Sequence, residues 1–254
     1  MSHYDAERFD NLYNSSAYAS NTNNWEDSVS RYRAEAFYAA LTKANIVSAI
    51  QTVIDVGCGS GGVLHQLHVN YGAKIGSGNV IYSGIDPSSE AIETAKRLYP
   101  NSHHNNITYD CRHLMDNAGG EKYSVLSLIH VLEHCPDMLE MLRLCESQAD
   151  YIYLNIPIEV NVYYTLRPNV LAMQYQKYGH VHFFSESFIK AWIANNGYEI
   201  IARVYSADFE VNKSGFLYNV LKIVRRTLGF VIGEKLTAWL VGGYSLGLLI
   251  RPGR

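Results

Sequence analysis

Three aspartates and a histidine-rich turn carry most of the chemistry this chain offers, each at the end of a short apolar run. Asp55 lies in "VIDVGCGSGG" (53–62), two residues ahead of Gly57; Asp86 lies in "YSGIDPSS", Asp110 in "ITYDCRHL", and His130, Glu133 and His134 in "SLIHVLEHCPD". The first stretch fits a G-x-G-x-x-G pattern through Gly57, Gly59 and Gly62. That is a turn which lets a ligand approach the backbone and a helix N-terminus. Nicotinamide, flavin and nucleoside ligands all use such a turn, so the acid beside it is what discriminates. A carboxylate at the strand end repels phosphates drawn to the positive end of the helix, and it suits a ligand with an ammonium group and no phosphate. The plainer alternative is that Asp55 caps the helix start.

The elements that must position these residues follow from periodicity. Strand-like runs fall at 52–57, 80–86, 106–110, 123–130 and 151–157, separated by helical patterns such as "GVLHQLHVNY", "SSEAIETAKRLY" and "PDMLEMLRLCESQ". Strands that are apolar on both faces and alternate with helices predict an α/β fold, a parallel sheet with helices on both sides. Residues 1–30 read as polar and irregular, and a helix is predicted from about Ser30 to Lys43. In this frame Asp86 sits where an acid hydrogen-bonds ribose hydroxyls, with a helix N-cap as its alternative, and Asp110 is placed to meet an adenine amino group. S-adenosylmethionine combines these features: an amino acid, a sulfonium and an adenosine.

The set "DVGCGSG", "YSGIDPSS", "ITYDCRHL" and "LSLIHVLEHCPD" resembles the class I S-adenosylmethionine-dependent methyltransferases over roughly residues 30–211, with a last strand at 244–251. The resemblance implies a Rossmann-like seven-stranded sheet whose last strand is antiparallel. It also implies donor contacts by Asp55, Gly57, Cys58, Gly59, Asp86, Pro87, Asp110 and Cys111, with His130 near the transferable methyl. One domain over 1–254 is expected: an N-terminal lid and helix (1–50), a cofactor-binding half (51–157), an acceptor-binding part (158–211), a helical insertion (212–243) and the last strand (244–254). More loosely, "IPIE", an Arg in the following loop and "GHVHFFS" resemble methyltransferases of bacterial polysaccharide and sugar-conjugate synthesis. The acceptor is thus expected to be a small molecule, sugar-linked in the finer reading, and methylated on O or N.

An amine acceptor needs only to be deprotonated, whereas a hydroxyl needs a base, and histidine serves near neutral pH. His130 and His180 rank first as catalytic bases, with Glu159 behind them; His134 and His182 are expected to be structural. His130, Glu133 and His134 at i, i+3 and i+4 also have a metal-binding reading. Some quinone-type O-methyltransferases resemble this with an acid in place of His130, and that departure leads us to expect no metal. Tyr163, Tyr164, Tyr175 and Tyr178 either stack on the acceptor or cover the sheet.

Bulk properties agree with this class. Lys and Arg number 21 against 24 acids, a formal net charge of -3, and without a basic run no nucleic-acid surface is expected. The four cysteines lack C-x-x-C spacing and no secretory leader opens the chain, so a reduced, cytoplasmic protein is expected. Leu217, Leu221, Val224, Leu228 and Val231 form an apolar stripe in the insertion, too interrupted by charge for a transmembrane span. The stripe is expected to pack on the domain or a homodimer partner, with peripheral membrane contact as the other use. The alternatives to a methyltransferase are an NAD(P)-dependent oxidoreductase, which lacks a recognisable Tyr-x-x-x-Lys here, and a non-catalytic binding protein on the same fold.

Overall fold

A computed structural model describes residues 16–100, 106–117, 122–167, 169–210 and 215–253, with side chains from residue 28 onward. Its centre is one seven-stranded sheet. The strands are β1 (Thr52–Val56), β2 (Ile81–Asp86), β3 (Ile107–Cys111), β4 (Tyr123–Ile129), β5 (Ala149–Pro157), β6 (Tyr198–Ser206) and β7 (Ser245–Pro252), in the order β3-β2-β1-β4-β5-β7-β6. The first five run parallel, and β7 is antiparallel to both β5 and β6. The predicted strands therefore form with ends shifted by one or two residues. Their order reverses direction between β1 and β4, the point at which α/β sheets open a ligand crevice.

The helices are α1 (Ser16–Lys43), α2 (Gly62–Tyr71), α3 (Ser89–Leu98), α4 (Met138–Gln148), α5 (Val162–Thr165), α6 (Val170–Met173), α7 (Glu186–Asn195), α8 (Phe216–Ile232) and α9 (Glu234–Val241). Alternation along each strand splits the core between the two sheet faces. Val53, Tyr82, Tyr109 and Tyr153 pack with Phe37 and Leu41 of α1 and with Leu64 and Leu67 of α2. Ile54, Ile85, Leu126, Leu128 and Leu154 pack on the other face with Leu142 of α4 and Ile189 of α7. Helix α1 begins earlier than the sequence suggests, at Ser16; adding turns to an existing helix is far easier than nucleating one.

The insertion between β6 and β7 is helical, as expected, but its apolar stripe is not the face that packs. Leu221 and Leu228 are half-buried, whereas Leu217, Val224 and Val231 are exposed along with Phe216, Ile223 and Phe230. The side turned toward the domain instead carries Arg225, which donates to the Val241 carbonyl, and Tyr218, which donates to the Phe209 carbonyl. Among the described residues no helix is long and apolar enough to cross a membrane.

Candidate active site

The loop from β1 to α2 is shaped by glycines that a side chain would spoil. Gly57, Gly59 and Gly61 have φ of 73°, 53° and 78°, the left-handed region. A Cβ on Gly57 would meet Val131 at 2.6 Å, and one on Gly61 would meet the Tyr109 ring at 2.5 Å. The spacing had singled out Gly62, which simply opens α2; the third left-handed residue is Gly61, and Tyr109 donates to its carbonyl at 3.1 Å. The Gly57 and Cys58 N–H groups donate to the Ile85 carbonyl, tying the loop to the end of β2.

Asp55 caps no helix: the N-cap of α2 is Gly61, and no side chain caps it. It lies instead at the switch point, 2% exposed, accepting a 2.6 Å hydrogen bond from the Ser127 hydroxyl on β4. Burial pushes its pKa up to about 7, with Ser127 opposing, Asp86 adding to the rise and Arg33 opposing. A carboxyl so perturbed stands ready for a cation that would restore its charge. Asp86 accepts from the N–H groups of Gly59 at 3.0 Å and Ser88 at 2.8 Å. It is not the cap of α3, a role taken by Ser88, which accepts from Ala91. Burial raises the Asp86 pKa despite those two donors. Asp110 and Cys111 end β3 in register with Ile85 and Asp86, both exposed, and the Cys111 thiol donates to the Pro87 carbonyl at 3.5 Å. Asp55, Gly57, Cys58, Gly59, Asp86, Pro87, Asp110 and Cys111 thus share the carboxyl edge of β1, β2 and β3.

His130, just past β4, is bound on every side. Its φ of 56° is rare for a residue with a side chain and marks a constrained position. Its Nδ1 lies 3.1 Å from Glu133, and its Nε2 lies 3.1 Å from Asp208 and 2.9 Å from the Ser245 hydroxyl. Burial and Arg33 oppose protonation, but Glu133 and Asp208 outweigh them and raise its pKa. Asp208 in turn accepts from both Nε and Nη2 of Arg33 on α1; although buried, it is held well below the usual carboxylate range by Arg33 and His130. None of Arg33, Asp208 and Ser245 was nominated by the sequence.

A second group converges on the same edge. The Glu133 carbonyl accepts from the N–H groups of Val181 and His182, which pins the "GHVHFF" loop over the turn after β4. His180 Nδ1 is 2.9 Å from Glu159 Oε2, and His134 Nδ1 is 3.2 Å from the Gly179 carbonyl. The two imidazoles meet edge to face, centroids 4.9 Å apart. Glu133 is fully buried; burial opposes its ionisation, but His130, His134 and His180 overrule it and hold its pKa down to about 2. Burial pushes His134 down to about 4, keeping that ring neutral. Ligating atoms of Glu133, His134 and His180 all lie within 4.8 Å of one another, a group compact enough to hold a metal ion. His182, by contrast, ties to the Cys135 carbonyl at 2.9 Å, a structural contact.

A family model described as "Methyltransferase domain" matches residues 18–203, well over half of the chain. The chain belongs to the class I S-adenosylmethionine-dependent methyltransferases. Its sheet order and its glycine loop with Asp55 and Asp86 agree with that membership, which sets the oxidoreductase alternative aside. The chain is similar to the ubiquinone biosynthesis O-methyltransferase of Haemophilus ducreyi, 33% identical over 111 residues that make up 42% of this chain and 43% of that protein. It therefore spans less than half the length of that curated relative. Two solved structures share the fold. Magnesium protoporphyrin IX methyltransferase from Synechocystis PCC 6803 with bound SAM has a TM-score of 0.58 at 16% identity, covering 98% of this chain and 97% of that one. A SAM-dependent methyltransferase from Thiobacillus denitrificans with S-adenosyl-L-homocysteine has a TM-score of 0.59 at 16% identity, covering 96% and 98%.

Proposed function

We propose that this methyltransferase moves a methyl group from S-adenosylmethionine to a hydroxyl oxygen of a small, ring-bearing acceptor. The observation that carries the reading is the set of buried Glu133, His180 and Glu159 with half-buried His134 beside the carboxyl ends of β4 and β5. An amine acceptor would need no such set, whereas a hydroxyl must lose a proton as it reacts.

Asp55 would hold the donor's ammonium group, the loop of Gly57, Cys58 and Gly59 its amino-acid portion, Asp86 its ribose, and Asp110 with Pro87 and Cys111 its adenine. The fit rests on the left-handed turn at Gly57, Gly59 and Gly61, which leaves the loop backbone bare of side chains, and on the buried Asp55 carboxyl that asks for a cation. When bound, S-adenosylmethionine supplies a methyl made electrophilic by its sulfonium. His130, clamped between two carboxylates, has no lone pair to spare; its role is to fix Glu133 and the end of β7. His180 governs the acceptor's hydroxyl, with Glu159 holding its ring in place.

Tyr163, with the guanidinium of Arg167 4.5 Å and that of Arg225 5.5 Å from its ring centre, would be the aromatic group nearest an acceptor ring in this reading. Sugar-linked and aromatic hydroxyls both suit that face. The name of the Haemophilus ducreyi relative favours oxygen as the methylated atom. His180→Ala should slow turnover about 100- to 10,000-fold with donor affinity within twofold in calorimetry, assayed on sugar-linked and phenolic acceptors side by side. A loss of less than fivefold on every hydroxyl acceptor would refute the assignment.

A further inference from the structure

The insertion helix α8 sends one guanidinium inward without an acid to meet it. Arg225 is 5% exposed, and its Nε and Nη2 both donate to a single backbone oxygen, the carbonyl of Val241. Among the described residues its Nη1 makes no hydrogen bond and the side chain no ion pair. The acid that α8 does engage, Glu210, is taken by Lys222 and Arg226. Burial lowers the Arg225 pKa, with Tyr164 and Tyr163 opposing, but a guanidinium stays charged in proteins. A buried cation without a counter-ion is costly, and an apolar side chain of the same volume would pack as well or better. Holding one carbonyl does not account for a charge there; an anion that arrives with a ligand does.

The surroundings of Arg225 put it on the acceptor side of the sheet edge. Its guanidinium lies against Gly243, where a Cβ would meet Cζ at 2.6 Å and Nη1 at 3.0 Å. Gly243 leads through Tyr244 into β7, whose first residue, Ser245, meets His130. Arg225 also lies 5.5 Å from the ring centre of Tyr163 on α5, and just before α5 comes Glu159, which holds His180. Arg167, exposed and in no ion pair among the described residues, is 4.5 Å from the same ring. Two cations thus border the ring that would stand nearest the acceptor, and no described acid pairs with either.

We propose that Arg225 receives an anionic group of the acceptor, a carboxylate or a phosphate, with Arg167 at its outer edge. The enzyme then selects acidic hydroxyl compounds over neutral ones. The planar guanidinium matches two oxygens of either group, and Nη1 brings two hydrogens that have no other use. The inference deepens the proposed O-methyl transfer and rests on it for the acceptor's hydroxyl. In the sequence Arg225 only interrupts an apolar stripe; its place beside Tyr163 depends on how α8 folds back over α5.

The test fills the donor site of the full-length protein with S-adenosylhomocysteine and follows probe binding by calorimetry. The probes are benzyl alcohol, benzoate and phenyl phosphate on an aromatic ring, and glucose, glucuronate and glucose 1-phosphate on a sugar ring. At least one anionic probe should bind about tenfold tighter than its neutral partner or better. Whether that probe is a carboxylate or a phosphate tells which group the acceptor carries. Arg225→Met should melt cooperatively, bind the neutral probes as the wild type does, and lose the preference for anions. Where Arg225→Met fails to fold, Arg225→Lys decides. It keeps a cation for the Val241 carbonyl without the fork, and should lose about three- to tenfold for anions alone. Arg97→Gln, at an exposed site on α3, is the control and should match the wild type. Equal binding of neutral and anionic probes by folded wild type overturns the proposal. So does an anionic preference undiminished in the folded variants, or a loss shared equally by neutral and anionic probes, as a purely structural arginine would give. Methylation on nitrogen or carbon overturns the O-methyl reading, while these titrations still decide the anion site.

Discussion

Asp55→Asn isolates the charge on which donor binding depends. With its pKa near 7, the wild-type carboxyl is mostly protonated at pH 5.5 and half ionised at pH 7. If the ionised form binds the donor's ammonium group, affinity should follow the ionised fraction, rising about eightfold from pH 5.5 to 6.5. The donor's own α-amino group, with a pKa of about 7.7–8.0, stays charged throughout that window. The asparagine can still accept from the Ser127 hydroxyl but carries no charge. A charge-assisted contact contributes about 1.5–3 kcal/mol, so the variant should bind the donor roughly 10- to 150-fold more weakly at pH 7, with a flat pH dependence. Stability should move the other way. A folded-state pKa raised above the unfolded value near 3.8 means that the folded protein loses stability as pH rises from 4 to 7. At one pKa unit per 1.36 kcal/mol the full effect is about 4 kcal/mol, and the ligand-free Asn variant should melt at higher temperature than wild type at pH 7. Calorimetric titration at four pH values and thermal melts read both. Wild-type affinity flat from pH 5.5 to 6.5, or an Asn variant with the same pH slope, would refute the reasoning.

Three other substitutions probe separate parts of the account. Asp86→Ala should weaken donor binding at least tenfold through lost ribose contacts; equal affinity in a folded variant would remove Asp86 from the donor site. Arg33→Ala leaves Asp208 without its main countercharge and should cost about 3–5 kcal/mol in urea unfolding, whereas a cost under 1 kcal/mol would mean that His130 and the Ser206 and Ser245 hydroxyls suffice for the acid. Phe230, 93% exposed, should be replaceable by Ser with under 0.5 kcal/mol lost; a larger, concentration-dependent loss of melting temperature would reveal a second copy covering α8.

The parallel sheet and the acids along its carboxyl edge were legible because both depend on local pattern. Apolar runs ending in an acid or a glycine turn place Asp55, Asp86 and Asp110 without knowledge of distant contacts. Even there, neighbours decided finer points: Ser88 rather than Asp86 caps α3, and Gly61 rather than Gly62 takes the left-handed turn against Tyr109. The helical spacing of Leu217, Leu221, Val224, Leu228 and Val231 fixes a helix, but not which of its sides faces the domain. The ion pairs around His130 were not legible for a plainer reason. Its environment is set by Arg33, Asp208 and Ser245, and Asp208 lies 175 residues from Arg33. One signal was present: Asp208 follows β6 closely, as Asp55, Asp86 and Asp110 close their own strands. Since β6 is antiparallel to β7 and β7 to β5, the end of β6 reaches the same edge as the ends of the parallel strands.

The most direct measurement of the central claim follows a ¹³C-labelled methyl group from S-adenosylmethionine into product by NMR, with sugar-linked and phenolic hydroxyl acceptors. Transfer to oxygen should give a methoxy signal. That signal should be missing in His180→Ala at donor concentrations that saturate both proteins. Label found on nitrogen or carbon, or a methoxy signal of undiminished rate in His180→Ala, would contradict the assignment.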